Sequence, residues 1–442
     1  MVALQNIVWL LVLIGIMILV HELGHYWAAR FFDVRIDAFS FGFGPRLFGF
    51  RRGETDFRVS LILFGGYVKM AGEQPTDESV DDPRAFLAKP RWQRLIIAFA
   101  GPAMNLVLAV CLVTGMFMVR FPKPPDSTQE GLIGFVRSGS PAAQTGVREG
   151  DRIVTIDNTQ NPTWEDIALK EIASANRPLT ARIERGGQQF NVTVTPVATE
   201  ELGGLASAGW QQQGEVEIGA LSPGNPPAEK AGLRKGDILL RVNGQPIRSQ
   251  SRLHEIIGAG GGRPIQLEYL RDGRPHTVTI QPVLDKTGSD QGRWLIGVYP
   301  QPRMIITQLS FFPALKESIL QNQKYATLIY SFLRGIVERR MSARSLQGPI
   351  GIATLAGNAA REGTFDFVGL MAMVSLNLAV FNLLPIPILD GGVILLLLVE
   401  MIMRRDLSLR VKEAVFKLGF VFLMAIMAFV LYNDISKIFP PG

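Results

Sequence analysis

The residues best suited to chemistry in this chain are His21, Glu22 and His25, in the stretch MILVHELGHYWA at positions 17–28. On a helix, residues at i and i+4 share one face, one turn apart. At that spacing His21 and His25 can share one tetrahedral metal, and Glu22 beside them can take a proton from a water activated there. A catalytic zinc needs a third protein ligand and an open position. The chain has only four histidines, and the other two, His254 and His276, fall in a distant polar region. The better source is NLLPIPILDGG at 382–392, where Asp390 is the first charged residue after Asp366. If both segments cross a membrane in opposite senses, Asp390 reaches the depth of the histidines. Pro385 and Pro387 break helical hydrogen bonds, and Gly391-Gly392 permits a tight turn. Broken backbone at that depth is tolerated only where it lines protein or a watery cavity. His21, His25 and Asp390 are therefore the expected ligands, zinc the expected metal, and Glu22 the expected catalytic base.

The elements that must position these groups are apolar. The chain has 442 residues, of which 19% are charged. Its mean hydropathy is +0.20, high for a water-soluble protein. A spanning helix needs roughly 20 mostly apolar residues. Four segments qualify: 2–20, continuing as a helix through His25; the run between Arg94 and Arg120; the run between Asp366 and Asp390; and the run after Lys417. The first lacks a basic leader and a small-residue cleavage pattern, so it is expected to stay in the mature protein. The formal charge of +6 does not by itself call for a nucleic-acid partner, and none is expected. Arginines crowd the loop 30–94, and Arg404, Arg405, Arg410, Lys412 and Lys417 fill the loop before the last span. Both loops are expected on the cytoplasmic side, with both termini and the long central region outside. The single cysteine, Cys111, excludes an intrachain disulfide and is expected to pack within its apolar run.

The central region repeats itself. PAAQTGVREGD at 141–151 matches PAEKAGLRKGD at 227–237, an offset of 86 residues that also relates Arg177-Pro178 to Arg263-Pro264 and Pro196 to Pro282. Each copy alternates short β-type runs with Gly and Asp turns and one short helix. The copies resemble bacterial PDZ domains, which bind a peptide as an added strand. FPKPPDS (121–127) is expected as a stiff exit from the second span, and GGLASAGWQQQG (203–214) as a loose connection between modules. Between Pro313 and Arg340, one helical face carries Leu328, Ile329, Phe332, Leu333 and Ile336, which suits a helix lying in the membrane interface.

Together HELGH, NLLPIPILDGG and the tandem modules resemble the site-2 protease family of intramembrane zinc metalloproteases, in its bacterial regulator-of-sigma-E branch. The fold expected is a polytopic α-helical membrane protein with four transmembrane helices, a membrane-associated β-hairpin and two tandem PDZ domains. Its expected parts are 1–30, the first span; 31–93, a cytoplasmic loop with a re-entrant hairpin; 94–120, the second span; 127–198 and 214–300, the PDZ pair; 308–364, interfacial helices and loop; 366–401, the third span; and 411–434, the fourth. The hairpin is read from FRVSLILFGGYVKMAGE at 57–73, whose apolar β-type run ends in Gly65, Gly66, Tyr67 and Val68; FSFGFGP (39–45) suits the same sheet. The resemblance implies that this hairpin holds substrate as an added strand. It also implies that Asn382, and more weakly Asn377, binds the unwound substrate backbone. Implied substrates are single-span membrane proteins, namely anti-sigma factors already trimmed outside and remnant signal peptides, in a bacterial inner membrane. The PDZ pair would act as a size filter or dock. Arg344 and GPIGI (348–352) look family-like without a physical role.

Overall fold

The computed structural model describes residues 2–73, 82–123, 131–198, 206–222, 224, 226–285, 292–338 and 348–438. Arg344 lies outside them, as do 124–127 and 203–205 of the two stretches read as connections. In chain order the helices are α1 (Val2–Phe31), α2 (Arg91–Val119), α3 (Pro141–Gln144), α4 (Trp164–Ala173), α5 (Pro227–Lys230), α6 (Gln250–Ala259), α7 (Phe311–Val337), α8 (Pro349–Glu362), α9 (Thr364–Asn382), α10 (Asp390–Met403) and α11 (Leu409–Ile438). The chain divides into two compact units. One holds 1–119, 308–330 and 346–442; the other holds 120–307 and 331–345.

Helices α1, α2, α9 and α11 of the first unit are long and apolar enough to cross a membrane. Their outward faces carry large exposed apolar side chains such as Val8, Phe99, Leu418 and Phe422, a surface that water would not tolerate over such an area. Cys111, expected to pack, is exposed on α2 among such groups. α1 and α2 cross where glycine lets backbones touch. A Cβ on Gly24 would lie 2.3 Å from the Ala100 carbonyl oxygen. The stretch read as one third span is two helices. α9 ends at Asn382, residues 383–389 are not helical, and α10 starts at Asp390. Pro385 and Pro387 supply no N–H to continue α9, and Ile388 takes a positive φ of 86°. GPIGI forms the start of α8, whose Gly348, Ile350 and Gly351 N–H groups donate to the Asp434 carboxylate of α11 at 2.9–3.1 Å. That carboxylate satisfies amides a helix start leaves unpaired.

Between α1 and α2 runs a sheet made from two long strands, β1 (Ile36–Arg52) and β2 (Thr55–Met70). Both bend, so segment 36–41 of β1 pairs with 66–70 of β2 on one side and 56–59 on the other, while 46–52 pairs with 55–60. Gly42 makes the corner at φ 95°, where a Cβ would lie 2.8 Å from the Ile62 carbonyl oxygen. Among the described residues no further strand pairs with segment 66–70, which is left as an open edge.

The second unit contains the repeat. Each copy has its own core: Ile133, Ile153, Ile156, Ile167, Leu179 and Ile183 in the first; Ile218, Leu239, Val242, Leu253, Ile265 and Leu267 in the second. Each such burial contributes roughly 1.5–3 kcal/mol. The repeated Gly-Asp explains itself structurally. Asp151 receives two hydrogen bonds from Arg185 at 2.6 and 2.7 Å, and Asp237 receives two from Arg271 at 2.7 Å each. The same aspartates cap the turn before them through the Arg148 and Arg234 N–H groups. Residues 206–212 are not a loose connection. Ala206–Ser207 pairs with Val197–Ala198, and Trp210–Gln212 pairs with Ile133–Val136, so they complete the first module. Trp210 and Ala208 are buried in its core, which is why the chain is held there. Phe121–Lys123 pairs with Ile305–Thr307.

Candidate metal centre

α1 carries His21 and His25 on the face turned towards α2, both buried. The Nδ1 of His25 lies 2.8 Å from the Ile97 carbonyl oxygen, and that carbonyl can only accept. The proton is thereby placed on Nδ1, and Nε2 is left with a free lone pair. The Nε2 atoms of the two histidines are 3.2 Å apart. Asp390 brings its carboxylate to both: Oδ2 is 3.1 Å from His21 Nε2, and Oδ1 is 3.4 Å from His25 Nε2. Ligand atoms about 2.0–2.1 Å from a tetrahedral zinc lie about 3.3 Å from one another. The two imidazole nitrogens lie at that spacing, each is at a similar distance from one oxygen of the Asp390 carboxylate, and the donor set of two imidazoles and a carboxylate is one zinc accepts.

Asp390 is presented by the first turn of α10, where a helix N-terminus favours a negative charge. Gly391 and Gly392 serve here through space rather than unusual dihedrals. A Cβ on Gly391 would lie 2.1 Å from the Leu384 carbonyl oxygen, and one on Gly392 would lie 2.4 Å from that of Ile386. The proline loop therefore folds directly against the start of α10.

Residue-pattern reasoning missed two groups that shape the centre. Gly101 of α2 faces the imidazoles so closely that a Cβ there would sit 2.3 Å from His25 Nε2. Asn105 places Nδ2 3.1 Å from His21 Nδ1, while its Oδ1 is buried without a partner. The two ends of a carboxamide are interchangeable in such an assignment. Turned over, Oδ1 accepts the His21 Nδ1 proton, loses its orphan status and frees Nε2 for a metal. The signal was visible: GPAMN puts a Gly-Pro pair and a lone amide inside an apolar span, where polar groups are costly.

A cavity of about 610 Å³ opens onto the centre. His21, Glu22, His25, Asp390, Gly65, Gly66, Tyr67, Val68 and Asn382 all line it. Gly66 lets the open sheet edge approach α1, since a Cβ there would lie 3.1 Å from Glu22 Cγ. Asn377 is not brought to this cavity; five residues before Asn382 on α9, it points to another side of the helix.

The sequence model of peptidase family M50 matches residues 9–426. The chain belongs to that family. This M50 peptidase is a zinc-dependent metalloprotease and a membrane protein. It is 30% identical to a putative zinc metalloprotease of Vibrio cholerae over 98% of this chain and 99% of the relative. It is 30% identical to the regulator of sigma-E protease RseP of Salmonella typhimurium, over 98% of this chain and 99% of the relative. With RseP of Escherichia coli the identity is 29%, over 97% and 98%. Among solved structures it is similar to the PDZ domain of an SdrC-like protein from Listeria monocytogenes, at 20% identity over 20% of this chain and 90% of that one, with a TM-score of 0.18.

Proposed function

We propose that this M50 peptidase cleaves the membrane-spanning segments of single-span proteins, with His21, His25 and Asp390 holding zinc and Glu22 acting as the base. The observation that carries the reading is the convergence of those three ligand atoms in the cavity that Glu22 and an open sheet edge also line. Bound zinc supplies Lewis acidity to a scissile carbonyl and to water. Glu22 takes a proton at its carboxylate from the attacking water and passes it to the leaving amine. A substrate helix hides its peptide bonds, so cleavage requires an extended segment with new hydrogen-bond partners. Residues 65–68 offer that partner as an edge to which a strand can add, and Asn382 hydrogen-bonds the unwound stretch nearby. Sigma-E regulation is in the names of two relatives, which supports anti-sigma-type substrates in a bacterial inner membrane, with remnant signal peptides as a second class. The repeated modules are read as a PDZ pair outside the membrane, filtering substrates by size or docking them.

The test is cleavage of one peptide sequence, once as a reconstituted membrane span and once in soluble form. The span should be the preferred substrate. Glu22→Gln should lower turnover by about 10²–10⁴-fold with metal content unchanged. Asp390→Ala should lose zinc by elemental analysis, and a full complement of metal in that variant would remove Asp390 from the ligand set.

A further inference from the structure

The two modules correspond in their loops as well as in their strands. The Ala142 N–H donates to the Ala208 carbonyl at 2.8 Å, and the Ala228 N–H donates to the Ile296 carbonyl at 2.9 Å. Each acceptor residue is followed by a glycine in the left-handed region, Gly209 at 91° and Gly297 at 79°. Ala208 and Ile296 are therefore equivalent, and each heads a strand that pairs on one side only: Trp210–Gln212 in the first module and Val298–Pro302 in the second. On such an edge a peptide can add as a strand, and backbone N–H groups at its head can capture a terminal carboxylate.

In the second module this place is open. Leu253, His254 and Ile257 of α6 face Ile296 and Val298 around a cavity of about 560 Å³. Among the described residues no acceptor meets the Ile296 N–H. In the first module the matching amide is already taken. The Ala208 N–H donates to Oε1 of Glu171 at 2.5 Å, and the Ser207 hydroxyl lies 3.5 Å from the same oxygen. The buried Trp210 indole N–H faces that carboxylate without reaching hydrogen-bond geometry. Glu171 is itself buried, on the inner face of α4. Its counterpart 86 residues on is Ile257, an apolar core residue. Packing alone gives no reason for a carboxylate where the repeat uses isoleucine, because burying that group is unfavourable. Its geometry supplies the reason: it meets the amide that a peptide terminus would use. The same end of the module is further covered by Phe332 and Ile336, which pack with Ile172 against Ala175 and Ala206.

We propose that Glu171 is the resident ligand of the first module's carboxylate cradle, closing that module to peptide C-termini and leaving the second groove to receive them. This rests on reading both modules as PDZ domains. The residue at this helix position then determines which module takes a chain end, and the two copies are divided in function rather than redundant.

The test exchanges the two residues in the full-length chain held in detergent micelles. The probe is a fluorescent peptide ending in valine with a free carboxylate, and its C-terminal amide is the control. The wild-type chain should bind one peptide, and the amide should not bind. Ile257→Glu should weaken binding by about tenfold or more, and Glu171→Ile should add a second site. The double variant should regain one site, now in the first module. Glu171→Ala is a second opening variant in case isoleucine overpacks, and hydrogen exchange across residues 206–212 reports whether the module stays folded. A folded Glu171→Ala or Glu171→Ile chain that gains no site overturns the assignment, whatever the wild type does. A wild type that binds nothing, beside a Glu171 variant that binds one peptide, counts instead against the second groove as a receptor for chain ends and upholds the closure by Glu171.

Discussion

At the scale of single residues, the metal centre depends as much on what orients the imidazoles as on the ligands. Ile97 holds one ring through its carbonyl, and Asn105 holds the other through its side chain. A ligand histidine whose second nitrogen loses its partner keeps neither tautomer nor orientation. Asn105→Ala should therefore weaken zinc binding by about 10–100-fold, read by competition with a chromogenic chelator. Asn105→Asp, which keeps an acceptor for the Nδ1 proton, should recover most of that affinity. Equal loss in both variants would show that Asn105 acts by packing and not by fixing the tautomer.

At the scale of elements, the decisive device is the break between α9 and α10. Its two prolines were legible as a break, and the glycines as an allowance for a turn. What the glycines accommodate was not legible, because the carbonyls that crowd them come from Leu384 and Ile386, folded back from the preceding loop. Gly392→Ala should push that loop away from α10 and move the Asp390 carboxylate with it. Overpacking of this kind costs about 1–3 kcal/mol locally. The expected outcome is reduced zinc content with the helical circular dichroism of the spans preserved; normal zinc with normal activity would show that the loop yields without moving Asp390. The bent sheet makes the same point. FSFGFGP suits a sheet with 57–73, but the double pairing of segment 36–41 follows from bends at Gly42 and beyond, which a pattern of alternating residues does not encode.

At the scale of the whole molecule, the repeat places unlike residues in like positions. Burial pushes the Glu171 carboxyl up to about 7 from its ordinary 4.5, against the lowering effect of the Ala208 N–H and the Ser207 hydroxyl. A carboxyl with a raised value in the folded state holds its proton there while the unfolded chain has lost it. Stability of the first module therefore falls as pH rises from about 4.5 to about 7 and levels off above. Glu171→Gln removes that slope. Its advantage over the wild type should be absent near pH 4 and reach at most about 3 kcal/mol above pH 7, read as hydrogen-exchange protection of α4 and residues 206–212. A pH-independent difference would mean that the carboxyl titrates normally. The second module, with Ile257 in this place, should show no such slope.

What the sequence determined by itself was whatever depends on local order. The i, i+4 histidines, the span lengths, the proline break and the 86-residue repeat all follow from residue types at fixed spacing, and each constrains only a few neighbouring turns or strands. What the tertiary structure decided was every relation between segments far apart in the chain. Asp390 meets His21 from 369 positions further along the chain, Asn105 reaches the same ring from another span, and Glu171 finds the Ala208 amide in a segment whose composition suits a linker. Such contacts depend on how helices and strands pack, and packing is set by shape and burial summed over many residues rather than by any short motif.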